Sequence, residues 1–91
     1  MQSKPKNLSP EQLLDLLKKD IEKPLLVDVR ESEELKIAPF PYQVVHMPLS
    51  KASLWMTNLS DYLSNKKTIV VICHAGVRSW NFGMWLIEQN W

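Results

Sequence analysis

Apolar positions along this chain follow two rhythms: short continuous runs, and stretches where leucines and aromatics return every three to four residues. Leu25-Leu26-Val27-Asp28-Val29, Gln43-Val44-Val45-His46-Met47 and Thr68-Ile69-Val70-Val71-Ile72 are runs of strand length, and each is predicted as a strand. Helical signals surround them. Ser9-Pro10-Glu11-Gln12 has the form of a capping box with proline at the first helical position. Leu13, Leu14, Leu16 and Leu17 follow as an apolar stripe, and Lys18-Lys19 suit its negative dipole end. Pro24 interrupts before the first strand. Glu31 to Lys36 is predicted as a short acidic helical segment, and Pro39, Pro41 and Pro48 bracket the second strand. Ser50 stands where it would cap a helix from Lys51 to about Leu63, with Leu54, Trp55, Leu59 and Leu63 on the inner face. Ser64-Asn65-Lys66-Lys67 is a turn. A last helix, Arg78 to Gln89, places Phe82, Trp85, Leu86 and Trp80 on packed faces, with Asn90 as its C′ residue.

Strands alternating with helices predict an α/β domain, and near-continuous apolar strands fit a parallel sheet covered on both faces. Right-handed crossovers bring the carboxyl ends of such strands to one edge. Asp28-Val29-Arg30 should therefore lie beside the loop that leaves the third strand. The 91 residues make a single domain, 1–91, in which residues 1–8 are a flexible or loosely attached leading segment. The chain carries no internal repeat and no low-complexity segment.

Charge narrows the partners. Eleven basic against ten acidic residues leave a formal net charge of +1, which gives no argument for nucleic acid or an anionic membrane. No apolar run reaches the length of a membrane span. Met1-Gln2-Ser3-Lys4-Pro5-Lys6 is basic without an apolar stretch behind it, unlike a secretory signal. A single cysteine excludes an internal disulfide and any C-x-x-C site, and makes a reducing, cytoplasmic setting the default. No set of His, Cys and carboxylates has metal-ligand spacing.

That cysteine, Cys73, is where chemistry concentrates. It ends the third strand and is followed by His74-Ala75-Gly76-Val77-Arg78-Ser79, a tight turn into a helix N-terminus. Successive backbone N–H groups in such a turn converge on one point, and the helix dipole favours negative charge there. The setting favours a thiolate, which is the nucleophilic form. Gly76 supplies the backbone freedom of the turn. Arg78 opposes the dipole at a helix start and so needs a compensating anion. Those two companions weigh against an inert buried thiol. Ser79 either caps the helix or hydrogen-bonds the sulfur. His74 is read as an exposed rim side chain, and His46 as a structural or surface histidine. Asp28 is structural, a strand-end carboxylate that accepts backbone N–H bonds and holds a neighbouring loop. Arg30 is either a rim charge that attracts anions or a plain surface charge. Glu31, Glu33 and Glu34 read as a solvated helix face. Trp55, Trp80 and Trp85 read as core, with Trp80 close enough to line the pocket.

Taken in order, these landmarks resemble the rhodanese-like sulfurtransferase family. Leu25 to Glu31 looks like its strand ending in Asp-x-Arg-Glu, and Val44 to Leu49 like its second strand closing on a proline. Ile69 to Ser79 is similar to its active-site strand and loop, including Cys-x-x-Gly-x-Arg-Ser. Trp85-Leu86 through Trp91 resembles the end of the helix after the loop. The resemblance spans about Ser9 to Trp91. It implies a rhodanese-like parallel sheet flanked by helices, and a Cys73 that takes the outer sulfur of thiosulfate or a persulfide and carries it as a persulfide to cyanide or a thiol. His74, Ala75, Gly76, Val77, Arg78, Ser79 and Arg30 would bind the substrate, with Asp28 as support and no metal or organic cofactor. The implied partners are small sulfur-containing anions or persulfide and thiol species. The other reading within the family is a sulfur-carrier or protein-binding module without turnover.

Related cysteine phosphatases are similar in using a longer loop than the four residues between Cys73 and Arg78. The shorter ring should enclose a smaller volume, suited to one sulfur rather than a tetrahedral phosphate. The chain also departs from the family. The approach to the second strand is Ile37-Ala38-Pro39-Phe40-Pro41-Tyr42, where the family has a Gly-His-x-x-Gly-Ala-like stretch. The last strand and short helix of the family have no counterpart before Trp91. The resemblance places that strand beside Ile69 to Ile72, so an uncovered edge, open to self-association, is expected there.

Overall fold

The computed structural model describes residues 4–19, 22–64 and 66–91 of the chain. Three strands, β1 (Leu25–Asp28), β2 (Val45–His46) and β3 (Ile69–Ile72), form a parallel sheet in the order β2-β1-β3. Val27 pairs with Val45 and Asp28 with His46 on one side of β1, while Leu25 to Asp28 pair with Ile69 to Ile72 on the other. The chain is thus an α/β domain built on a parallel sheet with helices around it.

Side-chain alternation splits the central strands between two faces. Leu25, Val27 and Val29, with Ile69, Val71 and Cys73, belong to the main core, together with Met47, Trp55, Leu63, Phe82 and Leu86. Leu26 and Val70 are buried outside that cluster. Burial of consecutive residues Leu26 to Asp28 is what a sheet covered on both faces produces. β3 is less buried, as befits an edge strand among the described residues.

α1 (Pro10–Leu17) begins with the predicted capping box: Gln12 N–H donates to Ser9 Oγ at 3.1 Å and Ser9 N–H to Gln12 Oε1 at 2.8 Å. Its leucines pack only in part, with Leu14 exposed and none of the four fully buried. α5 (Val77–Glu88) buries Phe82 and Leu86 and ends with Asn90 at φ +69°, the left-handed C′ geometry expected of it. Trp55, Phe82 and Trp85 meet as an aromatic cluster, with ring centroids 5.4 to 6.0 Å apart. Pro5, in the leading segment, lies so close to α5 that a Cβ on Gly83 would meet its Cγ at 2.9 Å. Residues 1–3 of that segment lie outside the described residues.

Other elements differ from expectation. α2 runs Ser32–Ile37, one residue later than predicted, because Glu31 serves as its cap residue. The second strand shortens to Val45–His46, between the segment that Pro41 ends and Pro48. The helix expected from Lys51 to Leu63 is a 3₁₀ turn (Leu49–Lys51), α3 (Ala52–Trp55) and α4 (Leu59–Tyr62). Asn58 leaves helical geometry, at φ −128° and ψ 39°, at a position where Thr57 and Asn58 give little helical support. Trp55 is the anchor of this region: it is buried and its indole N–H donates to the Pro48 carbonyl at 3.1 Å. Leu54, expected inside, is 61% exposed because the pieces rotate it outward. Ser50 caps none of these helices; its N–H and hydroxyl donate to the Glu31 carboxylate instead. In the turn after Leu63, Lys67 N–H reaches the Ser64 carbonyl at 3.4 Å, while Asn65 lies outside the described residues.

Candidate active site

The parallel ladder decides which residues meet. Asp28 is paired with Ile72, and Val29 N–H donates to the Ile72 carbonyl at 3.1 Å, so the ends of β1 and β3 are locked side by side. Cys73 leaves β3 at this point. Its side chain packs partly against the core while its backbone enters the loop.

The loop closes by way of Gly76, whose φ of +87° lies in the left-handed region. A Cβ there would touch nothing within 4 Å, so the backbone conformation, rather than lack of space, calls for glycine. Gly76 is also the residue before α5, and without a side chain it cannot cap that helix. The sulfur does so instead. Gly76 N–H donates to Cys73 Sγ at 3.0 Å and Ser79 N–H, at the third helical position, donates at 3.3 Å. The third-position N–H is one that an ordinary capping side chain takes. Cys73 therefore occupies the place of a helix cap at the positive end of a three-turn dipole.

Of the two roles its sequence position suggested, Ser79 takes the contact with the sulfur, while the capping place belongs to Cys73. The Ser79 hydroxyl donates to the Gly76 carbonyl at 3.1 Å, and its Oγ lies 3.3 Å from Sγ. One hydroxyl proton cannot serve both. With a thiol, S–H points to Oγ and O–H to the carbonyl; with a thiolate, O–H turns to the sulfur. Partial burial by itself raises the Cys73 pKa, but the Ser79 hydroxyl and the N–H groups of Ser79, Gly76 and Ala75 outweigh it, and the thiol is lowered from its ordinary 9.0. His74, Ala75 and Val77 are exposed around the loop.

The arginines are arranged differently from expectation. Arg78 Nη1 and Nη2 each donate to the Glu34 carboxylate at 2.7 Å. Glu34 is the compensating anion that an arginine at a helix start requires, so it is not part of a solvated face. The same carboxylate accepts Glu31 N–H at 2.9 Å in the first turn of α2, and thereby ties α2 to α5. The fork of hydrogen bonds from Arg78 holds the Glu34 carboxyl at about 2. Sequence reasoning missed Glu34 as a site residue. The signal was there, in an unbalanced Arg78 and an acidic helix leaving the same sheet edge.

Arg30 is neither a rim charge nor a surface charge. It is 8% exposed, because Asp28, fully buried, takes its Nε at 3.0 Å and its Nη2 at 2.8 Å, while its Nη1 donates to the Ala38 carbonyl at 2.9 Å. Asp28 Oδ1 also accepts Arg30 N–H at 3.0 Å, the structural role expected of a strand-end carboxylate. His46 Nε2 lies 2.7 Å from the Arg30 carbonyl, as a donor to it. Together these bonds hold the departing ends of β1 and β2 and the Ala38 segment, and the Cys73 loop rests beside them.

The family model for the rhodanese-like domain matches residues 9–90. The chain belongs to the rhodanese-like domain family. It is 35% identical over 65 residues to a rhodanese-like/PpiC domain-containing protein 12, chloroplastic, of Arabidopsis thaliana, a match covering 71% of this chain and 21% of that protein. The chain thus spans about a fifth of the length of the curated relative it matches. No solved structure gives a significant match. At the family level this is a sulfurtransferase-type module. Among the described residues no helix is long and apolar enough to cross a membrane.

Proposed function

We propose that this chain is a sulfurtransferase that moves a sulfane sulfur from thiosulfate or a persulfide donor to a thiophilic acceptor through a Cys73 persulfide. The observation that carries the reading is the convergence of Gly76 N–H and Ser79 N–H on one partly exposed sulfur, with the Ser79 hydroxyl 3.3 Å away and able to turn to a thiolate. Donors fixed in place before reaction stabilise an anion without reorganising, which is the economical way to favour a charged intermediate.

In the first step the Cys73 thiolate attacks the outer sulfur of thiosulfate. The new Cys73 S–S bond forms as the old S–S bond breaks, and sulfite leaves with the electron pair. The persulfide anion, one sulfur further out, remains within reach of the same loop donors. In the second step cyanide attacks that terminal sulfur, thiocyanate departs, and the pair returns to Cys73 as thiolate. A thiol acceptor in its thiolate form follows the same course and leaves as a persulfide. Sulfur is transferred with its six valence electrons in both steps, so no outside oxidant or reductant enters. The short ring between Cys73 and Arg78 favours this over phosphate-ester cleavage.

The test is intact mass after incubation with thiosulfate. Wild type should gain one sulfur atom, Cys73→Ser should gain none, and cyanide should remove the sulfur and release thiocyanate. Repeated thiocyanate release identifies an enzyme, whereas loading that stops after one equivalent identifies a carrier. Absence of any Cys73-dependent gain overturns the reading.

A further inference from the structure

The strand ends opposite Cys73 also enclose a space. Leu17, Pro24, Leu26, Val44 and Val45 line a groove of about 430 Å³ where β1 and β2 begin. Lys23, which precedes β1, and Lys67, which precedes β3, line it too. Leu25 N–H donates to the Thr68 carbonyl at 2.8 Å and so joins the segments that carry the two lysines. Ile69, paired with Leu25 at this end, lies about 13 Å along the strand from Cys73. The groove therefore takes no part in the chemistry of the sulfur.

Its floor is hydrocarbon. Leu26 is 4% exposed, Pro24 is buried, and Leu17, Val44 and Val45 are half-buried. Such a surface gives up water readily to an apolar guest. Its rim is cationic. Lys23 and Lys67 are exposed, and none of the described residues that line the groove is a carboxylate. Among the described residues neither lysine forms a salt bridge. Tyr42 and Gln43 add a phenol and an amide as uncharged donors, and Phe40 stands by the Tyr42 ring at 6.1 Å between centroids. The Ile37 to Tyr42 approach, where the chain departs from the family's stretch, thus supplies one wall.

We infer that this groove binds a small amphiphilic anion, with a short apolar body on Leu26, Val44 and Val45 and one anionic headgroup, such as a carboxylate, at Lys23 and Lys67. Each alternative fails one half of the site. An apolar cation meets two like charges, a neutral molecule leaves both ammonium groups without a counter-ion, and a small hydrophilic anion leaves the floor to water. Size sets the class of occupant. The volume lies in the range of small-molecule sites, about 300–1,000 Å³. Ten described residues line the groove, against roughly 20–30 a side in a stable protein interface. The inference stands apart from sulfur transfer and does not depend on it.

The experiment titrates octanoate, butanoate and octylammonium into the isotope-labelled chain and follows amide NMR shifts. Octanoate should move the amides of Leu25, Leu26, Val44 and Val45 and leave those of Gly76 and Ser79 in place. It should bind roughly tenfold more tightly than butanoate, about twofold for each of the four extra methylenes when half-buried. At low ionic strength octylammonium should bind roughly tenfold more weakly than octanoate, since two repulsions replace two attractions. Lys23→Gln combined with Lys67→Gln, at exposed positions where folding is little affected, should bring octanoate and octylammonium to similar affinity. Equal affinity for the two in wild type, a preference that survives the double substitution, shifts centred on the Cys73 loop, or no saturable binding of octanoate below its micelle-forming concentration overturns the inference. Tighter binding of a short peptide that ends in two leucines and a free carboxylate overturns it as well, and assigns the groove to a chain terminus.

Discussion

Two anion sites sit side by side at the carboxyl ends of β1 and β3, and they are built for opposite ends. Asp28 and Cys73 each terminate or follow a strand, and each accepts backbone N–H groups from the loop that departs there. Asp28 is sealed from solvent and its negative charge is met by a guanidinium bound at two nitrogens. Cys73 is part-exposed and receives donors but no arginine, because Arg78 is turned to Glu34. A site with its counter-charge built in has nothing left to bind and works as scaffold. One with donors and an open side stabilises whatever negative group arrives or forms there. Proximity at a sheet edge is therefore not enough to make a functional residue; the difference lies in whether the charge is already satisfied.

The largest effect should come from breaking the closed site. Asp28→Ala leaves the Arg30 guanidinium buried without its partner, which costs about 3–5 kcal/mol. That is a large part of the total for a domain of this size, about 5–10 kcal/mol. The urea midpoint should fall by a large fraction, and a variant as stable as wild type would mean that Asp28 is not the scaffold of this edge.

A smaller change should follow from thinning the open site. Ser79→Ala removes the hydroxyl and leaves both N–H donors in place. Loss of one hydrogen bond to a charged group, about 1.5 kcal/mol, lowers the thiolate population roughly tenfold where the thiol predominates. Iodoacetamide reaction in wild type should have its midpoint below the ordinary 9.0, and the variant's should lie higher. Stability should change little, because the helix keeps its sulfur cap. Unchanged alkylation kinetics would show that the hydroxyl serves only the Gly76 carbonyl.

The smallest effect concerns the bridge between the two sides. Arg78 holds the Glu34 carboxyl at about 2 against an ordinary 4.5. A carboxyl lowered on folding adds stability above about 4.5 that is lost as pH falls toward about 2. The pair is about a third exposed, so solvent screens it and the gain is small. Glu34→Gln should flatten this acid dependence, read as the difference in urea midpoint between about pH 6 and about pH 3. An equal acid loss in both proteins would place that dependence on other carboxyls.

Much of this was legible in the chain. Apolar runs of strand length, prolines at their borders and the Ser9 capping box identified β1, β3, α1 and α5, because each signal is local and backbone geometry obeys it. Where local signals were weak, tertiary contacts chose. Nothing in the spacing of Leu54, Trp55, Leu59 and Leu63 forbids one continuous helix. The anchoring of Trp55 to Pro48 and the break at Asn58 divide it. Ser50 had the chemistry of a cap, and a carboxylate nineteen residues away took it.

The sequence by itself determined the strand-loop-helix unit that places Cys73 under Gly76 and Ser79, since all of its donors lie within six residues of the sulfur. Arg30 met Asp28 two residues back, and the fold supplied its burial and its bond to the Ala38 carbonyl. Only the fold decided the partner of Arg78, because a charge read in isolation does not reveal which helix comes to lie alongside, and Arg78 closed onto Glu34, forty-four residues away. That choice left the sulfur with main-chain and hydroxyl donors.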